Sequence, residues 1–295
     1  MVDQTPAKNL HDLPADIYNL FDPTQHHEVD EENIEWAAEQ FKALLRTRLK
    51  EREPLADPLR FSSMGRPDRQ IWYMAQKEIK AEPIQAKTYF KFLYGDVIEL
   101  LILFLAREAG HSVERTQEEL EVDGVKGHID AVIDGVVVDV KSASPYGFKK
   151  FKENSITEDD PFGYVQQLAG YSSVINPGEA AAWVAFDKVS GEICVSNLSA
   201  SIIKDFDPAQ RIAHLKEVVA SETPPERCYE DVPDGQSGNR KLATACSYCS
   251  FKNECWPGLR TFLYSGGPRF LTNVAKEPNV PELISGSSDN PEVTD

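Results

Sequence analysis

The stretch GHIDAVIDGVVVDVKSAS, residues 127–144, decides the fold. It contains two apolar runs separated by the pair Asp134-Gly135. An Asp-Gly pair favours a two-residue hairpin turn because both residues tolerate a positive φ. The sequence therefore predicts strands over 125–133 and 136–143, joined by a tight turn.

A two-residue turn also fixes the register of the two strands. Asp130 then faces Asp139, and His128 faces Lys141. Because side chains alternate along a strand, these four polar residues share one face of the hairpin. The opposite face is wholly apolar, and we expect it to pack on the core.

Two carboxylates about 5 Å apart across a strand pair repel each other, so some group must offset their charge. A divalent cation would do so, and oxygen ligands suit Mg²⁺ or Mn²⁺. Lys141, two residues beyond Asp139 on the same face, could neutralise charge and hold a water near the metal. The alternative is a solvated hairpin face with ordinary surface charges.

The pattern D-x(8)-D-x-K across a tight turn resembles the PD-(D/E)XK nuclease superfamily. More narrowly, it is similar to the RecB-like exonucleases, a group that includes CRISPR-associated exonucleases and the AddB nuclease domain. The resemblance implies an α/β fold with a restriction-endonuclease-like mixed sheet flanked by helices. It assigns metal binding to Asp130, Asp139 and the main-chain carbonyl of Val140, and catalysis to the same site with Lys141.

Two further motifs extend this resemblance. The family has a G-x-x-x-(H/E) element on the helix before the sheet, and Gly95 and Glu99 fit it. Glu99 would be a third metal ligand, and Gly95 would let the helix approach the sheet; the alternative for Glu99 is a solvated acid. The family also has a Q-x-x-x-Y motif on the next helix, which Gln167 and Tyr171 match. The resemblance assigns both to support of the catalytic site, whereas the alternative is that the tyrosine only packs in the core.

Residues that could contact nucleic acid are fewer and less specific. Three lysines follow the hairpin and could contact phosphates, and two phenylalanines between them could stack on bases. The alternative is a solvated loop with two core phenylalanines. His128 could touch DNA or the metal region, or be an ordinary strand histidine. The lysines are Lys149, Lys150 and Lys152, and the phenylalanines are Phe148 and Phe151.

Four of the five cysteines fall in one short segment, which indicates a metal site rather than disulfides in a reducing compartment. The C-x2-C-x5-C part resembles the C-terminal cluster motif of the RecB-like exonucleases. Their first cysteine lies upstream, in a segment similar to residues 64–73 here, where Pro67 takes its place. The expected cofactor is a 4Fe-4S cluster, with structural Zn²⁺ or no metal as alternatives. The four ligands would be Cys228, Cys246, Cys249 and Cys255.

Periodicity predicts the remaining elements. Together with the hairpin they give the order α, βββ, α, ββ, α, which is typical of one mixed α/β domain. The centre of the long helix 84–109 is almost wholly apolar, so we expect it to be buried. The predicted helices cover 34–51, 61–79, 84–109, 160–174 and 208–221, and the predicted strands cover 112–122, 180–187 and 191–196.

The net charge of −17 counts mildly against a nucleic-acid partner, but much of it lies at the ends. The expected domains are a poorly ordered acidic tail (1–33), a nuclease core (34–222), a cysteine-rich module (223–265) and a second acidic tail (266–295). With no span long enough for a bilayer and no secretory signal, we expect a cytoplasmic protein of a bacterium, or of the host cell if phage-encoded.

These observations predict a metal-dependent deoxyribonuclease, in particular an exonuclease acting in DNA repair, recombination or phage DNA metabolism. The expected partners are single-stranded DNA or duplex ends, and recombination, replication or CRISPR proteins. Two alternatives remain open. One is a non-catalytic DNA-binding or partner-binding protein on the nuclease fold, and the other is an acidic DNA mimic.

Overall fold

The computed structural model of the chain describes residues 8–50 and 59–283. Its contacts separate two compact units. The first unit comprises the described residues of Met1–Arg66 and Gln85–Lys216, and the second comprises those of Pro67–Ile84 and Glu217–Asp295. Residues 67–84, which the sequence placed inside the predicted core, thus cluster with the C-terminal part of the chain.

Four of the five predicted helices agree with the structure to within a few residues at each end. The predicted helix 61–79 is shorter than expected, because a 3₁₀ turn at Phe61–Ser63 precedes it. In chain order the helices are α1 (Leu13–Asn19), α2 (Glu31–Leu49), α3 (Asp68–Ala75), α4 (Ala86–Glu108), α5 (Pro145–Lys152), α6 (Tyr164–Ile175), α7 (Ala200–Asp205), α8 (Pro208–Ala220), α9 (Thr244–Ser247) and α10 (Lys252–Cys255). Of these, α1, α5, α7, α9 and α10 were not predicted.

The strands form one sheet in each unit and a separate two-stranded ribbon. In chain order they are β1 (Val113–Glu114), β2 (Glu119–Val122), β3 (Val125–His128), β4 (Ala131–Ile133), β5 (Val136–Ala143), β6 (Ala181–Asp187), β7 (Ile193–Leu198), β8 (Val232–Pro233), β9 (Arg240–Lys241), β10 (Arg260–Tyr264), β11 (Gly267–Asn273) and β12 (Glu282–Leu283).

The first unit is built on a mixed five-stranded sheet with the order β1-β4-β5-β6-β7. The central strand β5 pairs antiparallel with β4 and parallel with β6. α4 contributes Ile102 to the buried cluster on one face, and α6 contributes Leu168 to the cluster on the other. The predicted mixed α/β class, with helices on both sides of the sheet, is confirmed.

The predicted turn at 134–135 is confirmed. Asp134 and Gly135 have φ angles of 50° and 82°, and Ile133 pairs with Val136 as expected. The Asp134 carboxylate also accepts a hydrogen bond from the Ser112 amide (3.1 Å) and lies 2.7 Å from His111 Nδ1. These contacts fix the turn that sets the register of β5.

The prediction that only one face of the hairpin packs on the core is wrong. Val132 and Val137, on the face expected to be polar, are buried in the cluster beneath α6. The physical reason is that β5 is a central strand with a parallel neighbour, and helices cover both faces of such sheets. The polar residues near its end therefore lie in a largely buried setting.

The predicted strand 125–133 is interrupted, and so is the strand 112–122. β3 pairs with β2 rather than with β5, and the ladder between β4 and β5 ends at Ala131 opposite Val138. Between β1 and β2, Arg115 and Gln117 both have a φ of 54°, which an extended strand does not allow. The chain therefore leaves the sheet at two points that periodicity did not reveal.

The two predicted acidic tails are partly structured. Leu10, Leu13 and Ile17 are buried against the sheet of the first unit, and β11 and β12 extend the ordered structure to residue 283. Burial of these three side chains outweighs the acidic composition around them. The remaining parts of the predicted tails, residues 1–7 and 284–295, lie outside the described residues.

The second unit contains a five-stranded antiparallel sheet with the order β12-β10-β11-β9-β8. A small apolar cluster joins Trp72 and Tyr73 of α3 to Val218 and Phe251. Within the described residues of both units, no helix is long and apolar enough to span a membrane.

A close backbone approach positions the start of α6. A Cβ atom added to Gly65 would lie 2.0 Å from the Gly163 carbonyl oxygen, and one added to Gly163 would lie 2.3 Å from the Gly65 carbonyl carbon. Gly163 is also the N-cap residue of α6 and has a φ of 79°. Neither position therefore has room for a side chain.

We expect Gly163→Ala to lower the free energy of unfolding by about 3 kcal/mol, because it adds left-handed backbone strain and an overpacked contact. The matched control is Gly191→Ala, since Gly191 has a φ of 78° but no atom within 4 Å of the added Cβ. That variant should lose only about 1 kcal/mol. Urea denaturation measures both values, and equal losses would show that the contact with Gly65 is unimportant.

Candidate functional site

The candidate site lies at the end of the central strand β5. Asp139 is only 2% exposed, and Lys141 Nζ lies 2.7 Å from each of its carboxylate oxygens. The ammonium donates a hydrogen bond to Oδ1 and forms an ion pair with Oδ2, which is buried and has no other hydrogen-bond partner. A buried carboxylate is costly unless a cation or a donor reaches it, and here Lys141 is that cation.

Asp130 lies beside this ion pair, although it is outside the strand ladder. Its Oδ2 accepts a hydrogen bond of 2.7 Å from the Val140 amide. This bond holds the Asp130 carboxylate across from β5, next to Asp139, as the predicted register required. The Val140 carbonyl as a metal ligand stays a prediction.

Glu99 reaches the same region from α4. Its Oε1 accepts a hydrogen bond of 2.6 Å from Gln117 Nε2. Burial, together with the negative charges of Asp130 and Asp139, raises the pKa of Glu99 to about 9. The structure therefore brings the three predicted carboxylates close enough to interact.

Gly95, one turn before Glu99, is less tightly constrained than the sequence suggested. A Cβ atom there would lie 3.5 Å from Ser142 Oγ, which is an ordinary van der Waals contact. α4 therefore lies against β5 at Gly95, but an alanine would also fit, so the role of the glycine stays a prediction.

The site is short of positive charge. Burial and the nearby Asp139 raise the pKa of Asp130 to about 7, and burial also raises the pKa of Asp139. Burial alone would lower the pKa of Lys141, but the Asp139 and Asp130 carboxylates outweigh it and raise the pKa. Three carboxylates therefore share one ammonium group, so full ionisation needs a further cation.

The ligand geometry is not already closed around a metal ion. In residues 8–50 and 59–283, no three histidine, cysteine or acidic side chains are arranged to hold one. The carboxylates would have to move towards a bound ion by side-chain rotation.

α6 supplies the next two predicted residues. Tyr171 is 4% exposed and stacks on Phe61, with ring centroids 5.6 Å apart. Burial and the nearby Asp139 carboxylate raise the pKa of Tyr171, while a hydrogen bond with Gln167 opposes this rise. Tyr164, about two turns before Tyr171 on α6, places its ring 4.8 Å from Lys141 Nζ. Tyr164 and Tyr171 therefore both face the carboxylate site.

A cleft of about 550 Å³ opens beside these residues, and Gln167 and Tyr171 form part of its wall. Arg60 and Lys126 line the same cleft, as does His128. It is large enough for a nucleotide-sized group, since ligand pockets begin near about 300 Å³.

His128 does not face Lys141 as predicted. Its partner in the ribbon of β2 and β3 is Glu119, whose Oε2 lies 3.6 Å from His128 Nε2. The strand is interrupted at Ile129 and Asp130, and this interruption turns His128 towards the cleft. Its side chain is half-exposed there.

The three lysines after the hairpin lie on helix α5, which Ser144 caps by accepting a hydrogen bond from the Gly147 amide. Each contacts a carboxylate: Lys149 that of Glu153 (3.8 Å), Lys150 that of Asp159 (2.5 Å) and Lys152 that of Glu192 (2.8 Å). Their contact with phosphate stays a prediction.

The proposed stacking of bases on Phe148 and Phe151 is wrong. Both rings are buried beneath the sheet of the first unit, 4% and 3% exposed. They face the core because α5 is an amphipathic helix rather than a loop.

The four clustered cysteines belong to the second unit and interact electrostatically, but among the described residues no three of them are arranged to hold a metal ion. Burial and the neighbouring thiols of Cys255, Cys249 and Cys228 raise the pKa of Cys246 to about 11. Arg69 of α3 donates a hydrogen bond of 3.2 Å to Cys255 Sγ. Cys194, by contrast, lies in β7 of the first unit.

Gln117 is a site residue that the sequence did not indicate. It lies in the loop between β1 and β2, with a φ of 54°, and reaches Glu99 because the chain leaves the five-stranded sheet after β1. No periodicity or motif marks such a residue, since its role depends on where the loop is placed.

No family model and no curated protein matches the chain. Among solved structures, the chain is similar to the protein in "Crystal structure of SSO0001", with 18% identity and a TM-score of 0.40. The match covers 75% of this chain and 95% of that chain. At this TM-score the similarity carries no argument about fold or function.

Proposed function

We propose that the chain is a metal-dependent DNA nuclease of the PD-(D/E)XK type. The observation that carries the proposal is the group of Glu99, Asp130 and Asp139 around a single ammonium, that of Lys141. Such a group is stable in its ionised form only with an added cation. The order of these residues on α4, the β4 region and β5 fits the finer, restriction-endonuclease-like fold.

The three carboxylates would hold Mg²⁺ or Mn²⁺, since oxygen ligands suit both ions. Such an ion, when bound, activates a water and neutralises charge on a phosphodiester. The chain itself contributes the fixed cation: Lys141 is protonated at neutral pH, because Asp139 and Asp130 raise its pKa. It therefore stabilises negative charge on the phosphate instead of acting as a base.

Gln167 and Tyr171 fit a supporting role. Their hydrogen bond and the burial of the tyrosine ring fix both side chains on the face of α6 towards the carboxylates. Because they also line the adjacent cleft, they can orient a phosphate group that enters from it. We propose no proton transfer by Tyr171, since its pKa is raised.

The second proposed cofactor is a 4Fe-4S cluster, or structural Zn²⁺, on the four clustered cysteines. Their thiols interact in space, and four sulfur ligands suit either group. Cys228 lies near Asp68, Arg69 and Cys255, at the start of α3 where Pro67 replaces the cysteine of the resembling family. Cys228 could thus supply the missing ligand from another part of the chain.

The test of the nuclease proposal is a digest of end-labelled single-stranded and double-stranded DNA with Mn²⁺. We expect cleavage with Mn²⁺ and none after chelation. DNA binding without cleavage would instead favour the non-catalytic alternative. Neither binding nor cleavage of either substrate would contradict the proposal.

Metal binding should strengthen steeply as the pH rises. The metal-free site holds protons on Asp130 and Glu99, with pKa values of about 7 and about 9. Mn²⁺ must displace these protons, so its affinity should rise by up to about tenfold per pH unit for each proton released. The rise in Mn²⁺ affinity per pH unit should be largest below pH 7, and the affinity should stop changing above pH 9.

The same raised pKa values determine whether the metal-free protein becomes more or less stable as the pH rises. The folded chain retains protons that the unfolded chain has released, so the free energy of unfolding should fall as the pH rises from about 4 to 9. Calorimetric titration with Mn²⁺ and urea denaturation without metal measure the two effects. Glu99→Gln is the matched control, and an unchanged slope between pH 7 and 9 in that variant would contradict the assignment.

A further inference from the structure

The first half of α4 exposes aromatic rings, although its apolar centre was predicted to be buried. The fully buried side chains of this helix are Ile98, Ile102, Leu103 and Ala106, all in its second half. Phe92 is 46% exposed and Phe90 is 69% exposed. Large exposed apolar groups clustered on one segment often mark a binding surface.

One of these rings lies on the same face of α4 as the carboxylate site. At 100° per residue, Phe92 and Glu99 differ by only about 20° around the helix axis. They are separated by about 10 Å along it, which is seven residues at 1.5 Å each. Phe90 points to the opposite side. The Phe92 ring therefore lies along the approach to Glu99.

A second ring supports Phe92. Tyr89 packs edge-to-face against it, with ring centroids 6.2 Å apart. Such a perpendicular contact restricts the orientation of the Phe92 ring, whose exposed face stays available to a further planar group.

The same segment is positively charged in an acidic protein. Residues 86–95 contain Lys87 and Lys91 and no acid, whereas the whole chain carries a charge of −17. Among the described residues, neither lysine forms an ion pair, unlike the three lysines of α5. The positive end of the helix dipole lies here as well. We call Lys87, Tyr89, Lys91 and Phe92 the α4 platform.

We propose that the α4 platform is a nucleobase-binding subsite. A base of a single strand would stack on Phe92, while Lys87 and Lys91 contact the flanking phosphates. A duplex would not fit this role, because its bases are already stacked on one another. The subsite rests on the proposed nuclease function, since it would lead the strand towards Glu99. A second copy of the chain is the other possible occupant.

The test is fluorescence-anisotropy binding to the full chain with chelator present, so that no cleavage occurs. The probes are a labelled thymidine homopolymer and an oligonucleotide of equal length with abasic sites. Phe92→Ala should weaken binding of the homopolymer by about 5- to 100-fold and leave the abasic probe almost unaffected. Phe90→Ala is the matched control and should bind like the wild type.

Three further variants separate base stacking from simple apolar contact and from charge. Phe92→Trp should retain the affinity, whereas Phe92→Leu should not, because only a ring stacks on a base. Lys91→Ala should reduce the slope of log affinity against log salt concentration by about 0.7, the value for one phosphate on a single strand. Circular dichroism melting checks that each variant folds.

Equal binding by Phe92→Ala and Phe90→Ala would overturn the proposal. So would a wild-type dimer that Phe92→Ala dissociates without a change in DNA affinity, since a second copy would then be the occupant. Because binding is measured without metal, the outcome is independent of cleavage. Platform-dependent binding without any Mn²⁺-dependent digestion would leave the subsite standing while the nuclease proposal fails.

Discussion

Asp139→Asn should reduce Mn²⁺-dependent cleavage by about 10²–10³-fold or more, while the protein remains folded. Asp139 is the most buried of the three carboxylates and the partner of Lys141. An amide of the same shape can still accept a hydrogen bond from Lys141, but it removes one ligand charge. Because three carboxylates share one ammonium, losing one of them does not leave the lysine without a counter-charge.

Lys141→Met should cause a loss of similar size for a different reason. It keeps the proposed metal ligands but removes the one ammonium that, among the described residues, interacts with all three carboxylates. We therefore expect this variant to lose stability in the absence of metal and to regain it when Mn²⁺ is added. Single-turnover cleavage and urea denaturation with and without Mn²⁺ measure the two effects.

The matched control for these variants is Asp187→Asn. Asp187 is also buried on a strand of the same sheet, but its carboxylate accepts hydrogen bonds from the Val189 amide and Ser190 Oγ in a turn. It should cleave like the wild type. Full activity of Asp139→Asn, or equal losses in Asp139→Asn and Asp187→Asn, would exclude the assigned role of Asp139.

The centre of the fold could be predicted because local signals there agree. The pair Asp134-Gly135 fixes a turn, and the apolar residues of β5 fix a strand, so the register followed from two residues. Register in turn placed Asp130 beside Asp139. Where turn chemistry and hydrophobic pattern point to the same structure, sequence reasoning is reliable.

The interruption before β4 has a local signal in the sequence, which is a second tight turn. Asp123-Gly124 is a second Asp-Gly pair, with φ angles of 50° and 80°, and it joins β2 to β3. With a tight turn at each end, residues 125–133 must serve two partners, so the strand divides at Ile129 and Asp130. That division turned His128 away from Lys141.

Two other structural features that were not predicted also have local signals in the sequence. Ser144-Pro145 is a helix start, with a capping serine and a proline in the first turn, and it predicts α5. Leu10, Leu13 and Ile17 have helical spacing that the acidic composition concealed. By contrast, the contact between Gln117 and Glu99 depends on loop placement in three dimensions, which no local pattern specifies.

The second large effect is expected for Cys246→Ser, because Cys246 interacts with the thiols of Cys255, Cys249 and Cys228. Serine is a poor ligand for iron or zinc, so the variant should lose the bound metal. Metal binding stabilises only the folded state, so its loss should lower the free energy of unfolding of the second unit by on the order of 5 kcal/mol. Metal analysis and urea denaturation measure these changes.

Visible absorption of the wild type identifies the metal, since an iron–sulfur cluster absorbs visible light and Zn²⁺ does not. Cys194→Ser is the matched control, because Cys194 lies in β7 of the first unit and belongs to no thiol group. This variant should keep the metal content and lose only about 1 kcal/mol. If Cys246→Ser and Cys194→Ser have the same metal content and the same stability, the four cysteines hold no metal. The second unit would then depend on its sheet and on the apolar cluster around Phe251 alone.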